Sequence, residues 1–185
     1  MKKLILAFVA VALCAIAASA ITPAELAGTK WKSKKIEMPS PDESVKVTSV
    51  VECIFETEST CTEKQEVTMS IFDKETRMKI DVYLKATAPE TYTAEGDSIT
   101  FKGNPADVKV ECEEDDIRVT FPGGESNAIM ESMIKSQIKP MIDMLRQEIG
   151  KSVDEPSVMK ILEMNGKKAV VEREKIKVEF SIKKI

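Results

Sequence analysis

Val45-Lys46-Val47-Thr48-Ser49-Val50-Val51-Glu52-Cys53-Ile54-Phe55 is the stretch that decides the fold. Val45, Val47, Ser49, Val51, Cys53 and Phe55 take the odd positions, and Lys46, Thr48, Val50, Glu52 and Ile54 the even ones. A period of two places alternate side chains on opposite faces, so the stretch predicts a strand with one face turned inward.

The same period continues downstream. Polar residues from Glu56 to Thr60 break the run, and Val67, Met69 and Ile71 resume it. Met78, Ile80, Val82 and Leu84 are set against Lys79, Asp81, Tyr83 and Lys85. Ile99-Thr100-Phe101 follows a Glu95-Gly96-Asp97 turn, then come Val108, Val110 and Cys112, and Ile117, Val119 and Phe121. Short strands separated by turn residues predict an antiparallel meander.

Pro122-Gly123-Gly124 closes that series, and the period changes. Ile129, Met130, Met133, Ile134, Ile138, Met141, Ile142, Leu145 and Ile149 recur at three and four, which predicts one amphipathic helix over 125–150. Ser126 is the expected N-cap, Gly150 the expected C-terminal stop, and Pro140 is expected to kink or split the helix. Strands return at Val158–Met164, Lys167–Val171 and Ile176–Ile182, with Asn165-Gly166 as a hairpin signal. The expected fold is mainly β: an antiparallel up-and-down barrel of about eight strands, with one helix before the C-terminal strands. Closure removes free strand edges.

Upstream, Met1-Lys2-Lys3 is basic, Leu4 to Ile16 is mostly apolar, and Ala18-Ser19-Ala20 supplies small residues. That order predicts a signal peptide over 1–20 and one exported domain over 21–185, periplasmic or extracellular. The apolar run is too short for a comfortable span, and the mature chain is expected to carry none. Leu13 precedes Cys14 where a lipoprotein signal requires a small residue, so a soluble product is expected.

The chain holds 27 basic and 31 acidic residues; without Lys2 and Lys3 the balance is 25 against 31, a net charge of −6. Such a surface argues against nucleic acid as a partner. There is no histidine, which excludes His-based triads and His metal ligands. Cys53, Cys61 and Cys112 remain beyond the signal, an odd number in an oxidising compartment. Cys53 and Cys61 flank Thr57 symmetrically and would face each other across a hairpin, so a Cys53–Cys61 disulfide is expected. Cys53–Cys112, Cys61–Cys112 and three free thiols stay open as alternatives.

Leu26-Ala27-Gly28-Thr29-Lys30-Trp31-Lys32 opens the domain with a glycine and the only tryptophan entering the first strand. This start, followed by a meander, resembles the lipocalin-like proteins of calycin type, in particular the secreted lipocalin-like domain proteins common in Bacteroidetes. Two residues separate Gly28 from Trp31 where the lipocalin signature has one. The lipocalin helix follows the barrel, whereas the helix here precedes the last strands. The resemblance implies a container fold, with Trp31 in a structural place across the closed end.

The expected function is binding of a small hydrophobic or amphipathic, lipid-like ligand. Val47, Val51, Phe55, Ile80, Val82, Leu84 and Phe101 would line the pocket. Met130, Met133 and Met141 would stand near its mouth, since methionine packs adaptably, although a plain core stripe explains the same spacing. The alternative is a non-enzymatic structural or interaction module with a filled core. The acidic run Glu111, Glu113, Glu114, Asp115 and Asp116 lacks calcium-loop spacing and reads as a solvated turn. No catalytic constellation, metal site or cofactor motif is recognised, so no enzyme activity is expected. A barrel-cavity hydrolase or isomerase would require a buried carboxylate of raised pKa beside an open pocket. The expected state is a monomer or weak homodimer.

Overall fold

A computed structural model describes residues 20–38, 40, 42–124 and 127–185. The expected signal peptide up to Ser19, Pro39 and Pro41 of the Pro/Ser-rich loop, and the expected cap Ser126 with Glu125 lie outside the described residues.

Among the described residues a short helix α1 (Pro23–Leu26) leads into eleven strands and one long helix. The strands are β1 (Thr29–Ser33), β2 (Ile36–Met38), β3 (Val45–Phe55), β4 (Thr60–Phe72), β5 (Lys79–Glu95) and β6 (Ser98–Gly103). They continue as β7 (Lys109–Glu111) and β8 (Ile117–Thr120); after α2 (Ala128–Ser152) come β9 (Ser157–Asn165), β10 (Lys168–Arg173) and β11 (Ile176–Lys184). The order β1-β11-β10-β9-β6-β5-β4-β3, with β1 also paired to β3, closes an eight-stranded antiparallel barrel. The expected fold class stands, and β3 has the bounds its alternation predicts.

The barrel is long on one side. β3, β4 and β5 have 11, 13 and 17 residues, and extend beyond the shorter strands that complete the ring. Along its free edge β5 is met by three pieces in turn: β6 at Glu90–Glu95, β7 at Lys85–Thr87 and β8 at Lys79–Val82. Pro89 sits at the break between β6 and β7, where its missing N–H leaves no ladder bond unmade.

Two apolar clusters follow from this asymmetry. At the closed end Trp31, Phe55, Tyr92, Phe101 and Phe180 pack with Leu26 of α1. The Trp31 and Phe55 rings meet edge to face at 5.6 Å, and Tyr92 meets Phe55 at 5.0 Å. Tyr92 Oη donates to Thr57 O at 2.7 Å, which satisfies the one polar atom of that ring. The second cluster lies where α2 covers the extended sheet. Met69, Val82, Leu84 and Ile117 of the strands pack with Ile138 and Ile142 of the helix.

Three local expectations are corrected. The helix cap is Asn127, whose Oδ1 accepts the Met130 N–H at 3.0 Å, and α2 ends beyond Gly150, at Ser152; Pro140 does not split it. The β9–β10 turn is Gly166-Lys167, since Asn165 pairs with Lys168. Asn165 instead serves as a side-chain acceptor for the N–H groups of Lys167 and Lys168. Among the described residues no helix is long and apolar enough to cross a membrane.

Candidate functional site: a cavity beneath the helix

Between the two clusters lies a cavity of about 440 Å³. Its apolar wall comes from Ile36, Val47, Val51, Val67, Met69 and Leu84 on one side, and from Val171, Ile176 and Val178 on the other. The last turns of α2 cover it with Leu145, Glu148, Ile149 and Ser152. Gly103 N bonds to Val153 O at 3.1 Å and ties the end of α2 to the barrel rim. A Cβ at Gly103 would stand 2.1 Å from Val153 Cγ1, so glycine is what allows this approach.

The polar part of the lining is an ion pair. Arg173 Nη1 donates to Glu63 Oε2 at 2.5 Å, and Arg173 Nε donates to Ser157 Oγ at 2.8 Å. The guanidinium carbon lies 5.7 Å from the Phe101 ring centroid, within cation–π range. Their side chains are 24% and 15% exposed, so each charge is compensated chiefly by the other. Beside them Gln65 Nε2 donates to Ser49 Oγ at 3.0 Å.

Behind this pair stands Glu90, 8% exposed, with Oε2 lacking a hydrogen-bond partner. Burial pushes its pKa from the ordinary 4.5 up to about 7, the Glu63 charge adds to the rise, and Arg173 opposes it. Glu90 is not among the residues lining the cavity.

The expected pocket residues divide. Val47, Val51 and Leu84 line the cavity. Phe55 and Phe101 are fully buried in the closed-end cluster, while Val82 belongs to the cluster under α2 and Ile80 packs against it. Met141 also packs against that cluster, and Met130 and Met133 are 44% and 59% exposed. Met130, Met133 and Met141 therefore do not form the cavity wall. The stripe Ile134, Ile138, Met141, Ile142 and Leu145 turns toward the sheet; Met133 lies off it, and Met130, four residues before Ile134, continues it but sits in the exposed first turn of α2. Trp31 is 1% exposed and its Nε1 donates to Thr29 Oγ1 at 3.1 Å at the closed end.

The disulfide expectation is also corrected. The register sets Cys61 opposite Phe55 and Cys53 opposite Glu63, so the two cysteines are diagonal rather than directly opposed. All three described cysteines are free thiols, and burial pushes Cys53 and Cys61 well up. The acidic run forms a 3-10 turn at Glu114–Asp116, with Asp116 accepting the Glu113 N–H at 2.9 Å.

No protein-family model matches this chain, and no curated protein matches it either.

Glu63, Gln65, Ser157 and Arg173 were not anticipated from sequence. A signal for two of them exists. Counting back by twos from Met69 and Val67 reaches Gln65, Glu63 and Cys61 on the inward face of β4. A charge on an inward face, with no partner in its own hairpin, marks a pair made elsewhere in the fold.

Proposed function

We propose that this protein is an exported, lipocalin-like binding protein that holds a small amphipathic molecule in the cavity beneath α2, without catalysing a reaction on it. The observation that carries this reading is the cavity itself, about 440 Å³ with a mostly aliphatic lining and a few convergent polar groups. Volumes of roughly 300–1,000 Å³ with such linings are typical of small-molecule sites. The filled-core alternative fits the closed end, where Trp31, Phe55, Tyr92 and Phe101 are buried and pack ring against ring. A general acid or base has to reach its substrate. Glu90 has a raised pKa but does not line the cavity, which favours binding over catalysis. Export rests on the composition of residues 1–20, and the family on the Gly28 to Trp31 start and the barrel order.

The test is titration with N-phenyl-1-naphthylamine, an uncharged apolar fluorophore, on the wild type and on Val67→Trp, which places a ring in the cavity. One saturable site that is lost in Val67→Trp, with circular dichroism unchanged, is the expected result. Absence of binding, or binding indifferent to the substitution, would overturn the proposal.

A further inference from the structure

The cavity's polar end restricts what its ligand can be, given that the cavity is a ligand site. Four charged residues line it: Glu63, Glu148, Arg173 and Glu174. Glu148 is answered by Lys151 at 3.1 Å. Glu174 belongs to the exposed β10–β11 turn. That leaves Glu63 and Arg173 as the charges met inside, and they neutralise each other.

Each of the two keeps a free hydrogen-bonding atom. Among the described residues Arg173 Nη2 donates to nothing, and Glu63 Oε1 accepts nothing. Neither belongs to the buried unpartnered side-chain atoms, which are Glu90 Oε2 and Arg146 Nε, so neither is sealed away. The pair therefore presents one donor and one acceptor side by side, at no net charge. A carboxylate guest would find Arg173 already compensated and would meet the Glu63 charge; an ammonium guest would meet Arg173. Either would lose its hydration for no spare countercharge. A group with both a carbonyl and an N–H satisfies both atoms and brings no charge.

We propose that the ligand carries an uncharged carboxamide head, its carbonyl accepting from Arg173 and its N–H donating to Glu63, with an apolar chain running along Val51, Val67 and Leu145. This rests on the cavity being a ligand site, and it goes further by naming the head-group class and its orientation. Glu90 stands behind the pair as a protonated, neutral neighbour below pH about 7, so it adds no charge there.

The experiment is displacement of N-phenyl-1-naphthylamine at pH 6 by four chain-matched probes: decanamide, methyl decanoate, decanoate and decylammonium. Decanamide is expected to bind about tenfold or more tighter than each of the others, the scale set against the ester by the N–H bond to Glu63 that it lacks and against the two ions by desolvation without a spare countercharge. The ester is the more apolar of the two uncharged probes, so a preference for the amide cannot come from hydrophobicity. In Glu63→Gln the compensating charge is removed, and decanoate is expected to gain on decanamide by about tenfold. The wild-type order decides the matter even if that variant fails to fold. A preference for ester, carboxylate or ammonium, or equal binding of all four, refutes the carboxamide assignment and leaves the cavity as a binding site. Binding of the fluorophore with displacement by none of the four also refutes it. No binding of the fluorophore or any probe refutes both.

Discussion

Replacing Glu90 by glutamine should change how stability depends on pH in one direction only. The carboxyl is 8% exposed, its Oε2 has no hydrogen-bond partner, and burial beside Glu63 raises its pKa from 4.5 to about 7. A raised carboxyl pKa means that the folded protein holds its proton over a range where the unfolded chain has released it. Stability therefore falls as pH rises from about 4.5 to about 7, and is level above. The difference of 2.5 pH units corresponds to a maximum of about 3.4 kcal/mol. Between pH 5 and pH 8 about 2.5 kcal/mol of that falls due, because the unfolded carboxyl is already partly ionised at pH 5. Glu90→Gln cannot ionise, so its stability relative to the wild type should rise by about 2.5 kcal/mol over the same interval. In thermal melts this is a relative gain of about 5–10 °C for a domain of this size. Other carboxylates act in the opposite sense: Asp73, bonded by Thr76 and by backbone N–H groups, has its pKa lowered and stabilises the fold as pH rises. They are common to both proteins, so the difference between the two profiles isolates Glu90. Urea titrations at half-unit pH steps measure it. Parallel profiles for the wild type and Glu90→Gln, with a constant offset, would refute the claim that a buried, unsolvated carboxyl stands behind the Glu63–Arg173 pair.

Gly103→Ala should destabilise by about 1–3 kcal/mol through the collision with Val153 Cγ1, and Val153→Ala should restore part of that loss, read from urea midpoints of the single and double variants. The β10–β11 turn has Glu174 and Lys175 at φ 52 and 68, a pairing that favours Asn-Gly, so Lys175→Gly should stabilise by about 0.5–1 kcal/mol in the same assay. Chain-length series of any uncharged ligand that binds should gain about fourfold per methylene, from roughly 0.8 kcal/mol for each buried CH₂, until the cavity is filled; isothermal titration would show the plateau.

Much of the barrel was legible because its causes are local. Alternation in β3 gives a strand wherever that strand ends up, and the three-and-four spacing of Ile134, Ile138, Met141, Ile142 and Leu145 gives a helix with one apolar face. Turns were less secure. Asn165-Gly166 is a strong local signal, but the pairing of Asn165 with Lys168 moved the turn by one residue. Local spacing also could not align Cys53 with Cys61, because hairpin register is fixed by the whole ladder rather than by symmetry about Thr57.

By itself the sequence determined the two periods, the strand–helix–strand order and the absence of histidine chemistry. Each of these depends on residues a few positions apart or on composition alone. The tertiary structure decided where the empty space lies and what polar groups meet there. Val47, Val51 and Leu84 became cavity lining while Phe55 and Phe101 became packed core, although all five share the inward side of their strands. The distinction depends on which strands are long enough to project past the closed ring, and on α2 roofing that projection. Glu63 and Arg173 are 110 residues apart in the chain. Neither residue's neighbours announce the other, because only closure of the barrel brings β4 and β10 to face each other across the interior.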